Sequence, residues 1–423
     1  MKKTNHSFFW SAVTMATIAL TGCSKHSSLH PDEALQTISG SKSAVSTLTT
    51  GPIIAAHRAN ELLKVDEIIN AGIKSMEVDI FVGLKNGAPT CLIGHEAATA
   101  TGQTLEQYFA NLHQKMPDFQ FLWLDCKDLN SAANETLFMN TLKKMDSLYA
   151  IKNRVLVESR YIPYLVSFKQ QNWPVSYYCN WEDVYGKPYA TQQSVMNQMY
   201  TQLTTYGIDG ISYDAAIDTS MKNFFSSKTV GGSNVKMYSW HVGRYYGEAG
   251  LDAKLAAYGH LSVLLISFLN NNPATITDGA NYKLVSAVNG LGVVDVNSQT
   301  PVNGTEVTLW ANNYPTTNNQ VWKLRSLGGG YYAFKSLADT TKVLEVAGGA
   351  SANSTPVQVG TFSNSNAQRW QIVDAGGGYY NFTPACAPGK NLDVNGGSSA
   401  NDTPIQIYSA HTYNSQKFKM VKQ

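Results

Sequence analysis

The last third of the chain repeats itself three times. Tyr282-Lys283-Leu284 to Gln320-Val321-Trp322, Gly330-Tyr331-Tyr332 to Gln368-Arg369-Trp370, and Gly378-Tyr379-Tyr380 to Gln416-Lys417-Phe418 align with one another. Each copy holds an apolar-acidic-Val triplet: Val294-Asp295-Val296, Leu344-Glu345-Val346 or Leu392-Asp393-Val394. A Gly/Asn/Ser loop, an alternating strand and a Q-x-W or Q-x-F close follow each triplet. A period near ~50 residues marks units that cannot bury an apolar face singly and close one core only together. Helical spacing stops after Asn270-Asn271-Asn272, so residues 273–423 are expected to form an all-β domain.

Residues 51–272 are patterned differently. Apolar strand-like runs alternate with longer helical stretches, the signature of parallel βα units. Eight strands are expected: Ile53–Ala56, Lys74–Phe81, Phe121–Lys127, Arg154–Ser159, Val175–Cys179, Gly207–Tyr213, Lys236–Val242 and Leu261–Phe268. Eight parallel strands predict a TIM-type (β/α)8 barrel, with residues 90–94 an excursion that carries His95 over the barrel mouth. The two domains read as self-contained cores joined near residues 270–275, and a monomer is expected.

Candidate chemistry falls where these strands end. Glu77 and Asp79 are two apart in an alternating run, so both carboxylates project from one strand face. Asp125 and Lys127 repeat that spacing one expected strand later. His57 and His95 each follow an apolar run. Carboxylates for a hard cation and imidazoles for proton transfer are the parts that phosphodiester cleavage needs. Arg58 could engage a phosphate oxygen through its planar fork. Glu158, closing the fourth strand, is a further candidate substrate contact.

The motifs carry a resemblance. His57-Arg58-Ala59-Asn60, the run from Asp66 to Asp79 (D-E-x-x-N-x-G-x-x-S-x-E-x-D) and Gly94-His95-Glu96 resemble the phospholipase-C-like phosphodiesterase superfamily. That superfamily includes glycerophosphodiester phosphodiesterases, sphingomyelinase D and the menorin proteins. The resemblance implies a divalent cation, magnesium with calcium as the alternative, held by Glu77, Asp79 and Asp125. It further implies a phosphate contact at Lys127, proton transfer by His57 and His95, and an aromatic face at Trp240 for a choline-like cation or glycerol. The implied substrates are glycerophosphodiesters or phospholipid head groups. The V-D-G-I pattern usual in the last strand is absent there, and Ile208-Asp209-Gly210-Ile211 stands two strands earlier.

The three repeats resemble the ricin-type β-trefoil lectins. That resemblance implies carbohydrate sites in which an acidic residue accepts sugar hydroxyls and an aromatic stacks on the ring. The first repeat offers Asp295, Trp310, Asn319 and Gln320, and the third offers Asp393, Gln406 and Tyr408. In the second, Gly360 replaces the aromatic, which ranks the sites first, third, second. Trp322, Trp370 and Phe418 are assigned to packing.

The N-terminus reads as an export signal: Lys2-Lys3, an apolar run from Phe8 to Leu20, then Leu20-Thr21-Gly22-Cys23. With Cys at its end it resembles a bacterial lipobox. Residues 1–22 are then a lipoprotein signal peptide, Cys23 the lipidated residue and residues 23–50 a flexible tether, which implies a membrane-anchored protein of the outer membrane or cell surface. Four further cysteines form no C-x-x-C pair, which argues against a zinc site. A formal net charge of +2 with 15% charged residues gives no reason to expect a nucleic-acid partner. The expectation is an exported, metal-dependent phosphodiesterase with a sugar-binding domain. The alternative, a binding lipoprotein with a degenerate barrel, has to explain why both histidines, three carboxylates and Lys127 are all retained.

Overall fold

The computed structural model describes residues 51–268, 274, 276–313 and 315–423. The expected signal peptide, Cys23 and tether, and the expected domain boundary at 272/273, lie outside the described residues.

All eight expected strands form, and all run parallel. They are β1 (Ile53–Ala56), β2 (Ser75–Lys85), β4 (Phe121–Cys126), β5 (Val155–Ser159), β6 (Val175–Tyr178), β7 (Gly210–Asp214), β10 (Lys236–Trp240) and β11 (Val263–Ile266). Neighbours pair in the order β1-β11-β10-β7-β6-β5-β4-β2, and Ala56 pairs with Met76 to close the barrel. The antiparallel strand β3 (Ala88–Ile93) is added to the protruding end of β2, and β8 (Thr229–Val230) with β9 (Ser233–Asn234) makes a small hairpin. Gly210 opens β7 because a Cβ there would sit 2.2 Å from the Val175 carbonyl oxygen.

Among the described residues seven α-helices follow the strands: α1 (Leu62–Asn70), α2 (Leu105–Lys115), α3 (Ala132–Tyr149), α4 (Val166–Gln170), α5 (Tyr189–Tyr206), α6 (Asp218–Phe225) and α7 (Leu251–Leu255). The full (β/α)8 pattern expected from sequence is therefore one helix short among the described residues, with no described helix between β11 and the next domain. At the start of α2, Thr104 and Gln107 form a reciprocal capping box that satisfies two N-terminal donors. The helix then holds Tyr108 so that its hydroxyl donates to the Ala59 carbonyl at 3.0 Å, under the loop that carries His57. The apolar core lies between strands and helices, and a second cluster around Trp123, Tyr178, Tyr238 and Trp240 fills the barrel interior.

Among the described residues the C-terminal domain has twelve strands, four per repeat. The first repeat has β12 (Asn281–Ser286), β13 (Gly292–Val296), β14 (Thr305–Ala311) and β15 (Trp322–Gly328). The second has β16 (Tyr331–Ser336), β17 (Lys342–Val346), β18 (Thr355–Thr361) and β19 (Trp370–Gly376). The third has β20 (Tyr379–Pro384), β21 (Lys390–Val394), β22 (Thr403–Ser409) and β23 (Phe418–Lys422). Trp322 and Trp370 donate their indole N–H groups to equivalent carbonyls, Val294 and Leu344, each at 3.0 Å. Phe418 takes the same place without a donor. All three are fully buried, as their assignment to packing requires.

The two domains are less independent than their sequences suggest. Leu63 of α1 packs with Val285, Val293 and Val421 of the trefoil in one apolar cluster. Lys419 pairs with Glu67 at 3.2 Å, and Asn70 donates to the Lys422 carbonyl at 3.1 Å. These contacts all come from the amphipathic helix that follows β1.

Candidate active site

Strand alternation places Glu77, Asp79 and Asp125 at the barrel mouth, and β2 and β4 pair in register so that Asp79 stands opposite Asp125. All three carboxylates are buried, with an oxygen from each within 4.8 Å of the other two. Like charges so close in a desolvated site destabilise one another unless a cation joins them. The Lys127 ammonium reaches Asp79 at 2.7 Å and Asp125 at 2.5 Å. His57, also buried, has its Nε2 at 3.6 Å from Glu77. Three carboxylates at this spacing form an all-oxygen donor set that fits a hard divalent cation.

The loop after β1 is locked to this cluster. The Arg58 backbone N–H donates to Glu77 Oε2 at 2.7 Å, and Arg58 takes the left-handed conformation with φ 57°. Asn60 exchanges two hydrogen bonds with Asp79, each 2.9 Å. Strand β3 runs back from its hairpin until the Gly94 N–H meets the Asp79 carbonyl at 2.9 Å, which delivers half-buried His95 to the rim at that level. His57, Arg58, Glu77, Asp79, His95, Asp125 and Lys127 thus come to one end of the barrel.

Two expected substrate contacts face inward. Trp240 is 1% exposed and stacks on Tyr178 with ring centroids 4.9 Å apart, so it belongs to the aromatic plug and does not present an open face. Glu158 is equally buried, and its two oxygens accept from Trp123 Nε1 at 2.8 Å and from the Ser212 hydroxyl. Both follow from the inward side of strand alternation, which fills a barrel this size with side chains.

The expectation omitted three residues at this mouth. Asn60 is one. The others are Asp214 and His241, which end adjacent strands: His241 Nδ1 lies 2.7 Å from Asp214 Oδ2, and the His241 ring meets the His57 ring edge-on at 5.6 Å. The signal was available, because Trp240 was singled out and His241 is the next residue, at the C-terminal end of a barrel strand.

In the trefoil, Asn319 donates to both oxygens of Asp295, each at 3.0 Å, with Trp310 half-buried nearby on the strand paired to β13. Burial pushes the Asp295 carboxyl up to about 6, opposed by the amides of Gln320 and Asn319. Gln320 is wholly buried: its oxygen accepts from the Asn313 N–H and its nitrogen donates to the Ala311 carbonyl, at 2.8 and 2.9 Å. It pins a turn, so its expected place as a sugar contact is corrected to a scaffold role. In the third repeat Asp393 accepts from Gln406 and Ser415, each at 3.0 Å, and lines a cavity of about 570 Å³ with Tyr408, His411 and Tyr413. In the second, the Glu345 carboxylate lies where a Cβ on Gly360 would be, 2.3 Å away, and is tied to Gln358 and Gln368 at 2.9 and 2.7 Å. Its own side chain fills that site.

The fold and site together define a two-domain protein: an α/β barrel with a carboxylate-lined mouth, joined to a threefold β domain. Residues 273–360 and 318–408 match the family model described as Ricin-type beta-trefoil lectin domain-like, and the C-terminal domain is a ricin-type β-trefoil lectin domain. Among solved structures, the designed 3-fold symmetric protein ThreeFoil is 30% identical, with TM-score 0.32, over 34% of this chain and 100% of its own. The exo-beta-1,3-galactanase 1,3Gal43A from Clostridium thermocellum is 28% identical, with TM-score 0.32, over 35% of this chain and 31% of that one, so this chain spans about a third of it. The Rhizoctonia solani agglutinin is 23% identical, with TM-score 0.32, over 36% of this chain and 100% of that one. Comparison with curated proteins finds no match.

Proposed function

We propose that the protein is an exported, metal-dependent phosphodiesterase of the glycerophosphodiester phosphodiesterase-like class, built on a TIM-type barrel and directed to its substrate by a carbohydrate-binding trefoil. The observation that carries the reading is the buried trio of Glu77, Asp79 and Asp125 with Lys127 and His57 against it. Glu77, Asp79 and Asp125 would hold a divalent cation, which when bound supplies Lewis-acid stabilisation of charge on phosphorus. Lys127 adds a positive charge at the same place, and Asn60 and the Arg58 N–H fix the carboxylates so that no reorganisation is needed when a phosphate arrives. His57, buried against Glu77, and His95, on the rim, move protons to and from the reacting oxygens.

Lactose and GalNAc are named for a Macrolepiota procera lectin and an earthworm R-type lectin, respectively, among the structural neighbours, and a neutral sugar is the proposed trefoil ligand here. The acidic residues Asp295 and Asp393 would accept its hydroxyls, with Trp310 and Tyr408 against the ring. Anchoring through Cys23 completes the reading; among the described residues no helix is long and apolar enough to cross a membrane. The test is a panel of glycerophosphodiesters and phospholipid head-group diesters assayed with magnesium, with calcium and with EDTA. Turnover that needs the ion and is lost in Asp79→Asn supports the reading, and turnover unchanged by chelation overturns it.

A further inference from the structure

The barrel mouth carries an imidazole that this reading does not use. His241 follows β10, its Nδ1 is 2.7 Å from Asp214 Oδ2, and Asp214 is itself held by the Ala216 N–H, which donates to Oδ1 at 2.9 Å. A carboxylate only accepts, so the Nδ1 position carries the proton and the neutral ring keeps its Nε2 lone pair as an acceptor. The His241 side chain is 40% exposed, while its ring edge meets the His57 ring at 5.6 Å. His241 also has φ 59°, and Arg58, next to His57, has φ 57°. Left-handed backbone at non-glycine residues costs free energy and persists where the surroundings hold it, typically at functional sites. Two such residues from opposite ends of the barrel sequence meet at one mouth.

We propose that His241, backed by Asp214, faces the same anion-binding space as His57 and is its proton acceptor. This rests on the phosphodiesterase reading and makes His241, in place of His95, the base that works with His57. For a glycerophosphodiester, the neighbouring hydroxyl oxygen forms a bond to phosphorus as its proton passes to His241 Nε2. The bond from phosphorus to the leaving oxygen breaks, and that oxygen takes a proton from His57. The products are a cyclic phosphate and an alcohol, with one proton gained by His241 and one lost by His57. Asp214 is the positioning residue.

Two measurements test this on the full chain. With glycerophosphocholine and magnesium, His241→Asn keeps a residue that tolerates positive φ, and it is expected to lower kcat by about 100-fold with KM changed less than about 2-fold. The acidic limb of its pH profile is expected to be lost. His241→Gly, equally tolerant of that backbone, regains rate with added imidazole. Asp214→Asn lowers kcat while leaving the fold intact. Wild-type kcat and pH profile in His241→Asn would overturn the proposal and leave the phosphodiesterase reading standing. Independently of turnover, nitrogen NMR of labelled histidines should show His241 protonated at Nδ1, with inorganic phosphate shifting His57 and His241 together. Phosphate that shifts His57 alone overturns the shared space. A wild-type chain that cleaves no phosphodiester, yet shows both shifts and the Nδ1 proton, overturns the reaction and upholds the shared anion space.

Discussion

Asn60 and Asp79 hold each other by two hydrogen bonds that run in opposite directions. The Asn60 amide donates to Asp79 Oδ2 and its oxygen accepts from the Asp79 N–H, both at 2.9 Å. This pair fastens the loop carrying His57 to the strand carrying the metal-type carboxylates, so the two halves of the site keep one geometry. Asp79 is also ion-paired with Lys127 at 2.7 Å, which leaves it as the residue on which the cluster converges.

Asn60→Ala removes both bonds and strands a buried N–H. Such a loss costs about 1–3 kcal/mol of stability, which urea unfolding of the full chain should register. Turnover should fall further than stability accounts for, with kcat reduced more than KM. A variant with wild-type stability and wild-type kcat would show that the pair has no part in the site.

Much of this was legible in the sequence, for reasons that differ by residue. Glu77/Asp79 and Asp125/Lys127 obey the two-residue period of a strand, and that period fixes the face without any tertiary information. His95 closes a local excursion after the second strand, which in the structure is β3 pairing back on β2. His241 and Asp214 were missed because their relationship is between ends of adjacent strands 27 residues apart, which only the barrel register reveals. Trp240 and Glu158 were misplaced because strand alternation gives the inward face but not whether that position is open or filled. Gln320 was read as a ligand contact because its motif serves both sugar and core, and only its burial separates the two. The docking of α1 on the trefoil depends on packing between domains, which neither repeat nor periodicity encodes.

The trefoil repeats should differ in binding. Asp295→Ala and Asp393→Ala should each weaken binding to a glycan array far more than Glu345→Ala, because the Glu345 side chain already occupies its own site beside Gly360. Equal losses from all three would contradict the assignment of open and filled repeats.

The raised carboxyl of Asp295 has a definite sign. Burial pushes it up to about 6, against about 3.9 in an unfolded chain. Between these values the folded domain binds a proton that the unfolded chain has released, so stability falls as pH rises through that window. Asp295→Asn should remove this fall, as read from thermal unfolding at a series of pH values. A wild-type slope in the variant would contradict it.

Lys283 gives the opposite sign at higher pH. It is buried next to the barrel, donates to Asn312 and Thr316, and burial lowers it to about 8, partly offset by Asp66. Between about 8 and about 10.4 the unfolded chain holds the proton that the folded one has lost, so stability gains with rising pH. Lys283→Met should abolish that gain, and a gain that persists would place its origin elsewhere.

Phosphorus NMR of glycerophosphocholine incubated with the full chain tests the central claim most directly. A substrate that carries a hydroxyl beside its phosphodiester supplies its own nucleophile at high effective concentration. With magnesium, the account predicts a cyclic phosphate signal early in the time course, no turnover in EDTA, and none in Asp79→Asn. Turnover at the same rate in EDTA, or no turnover of any diester with the ion present, would contradict the claim that Glu77, Asp79 and Asp125 form a metal-dependent phosphodiesterase site.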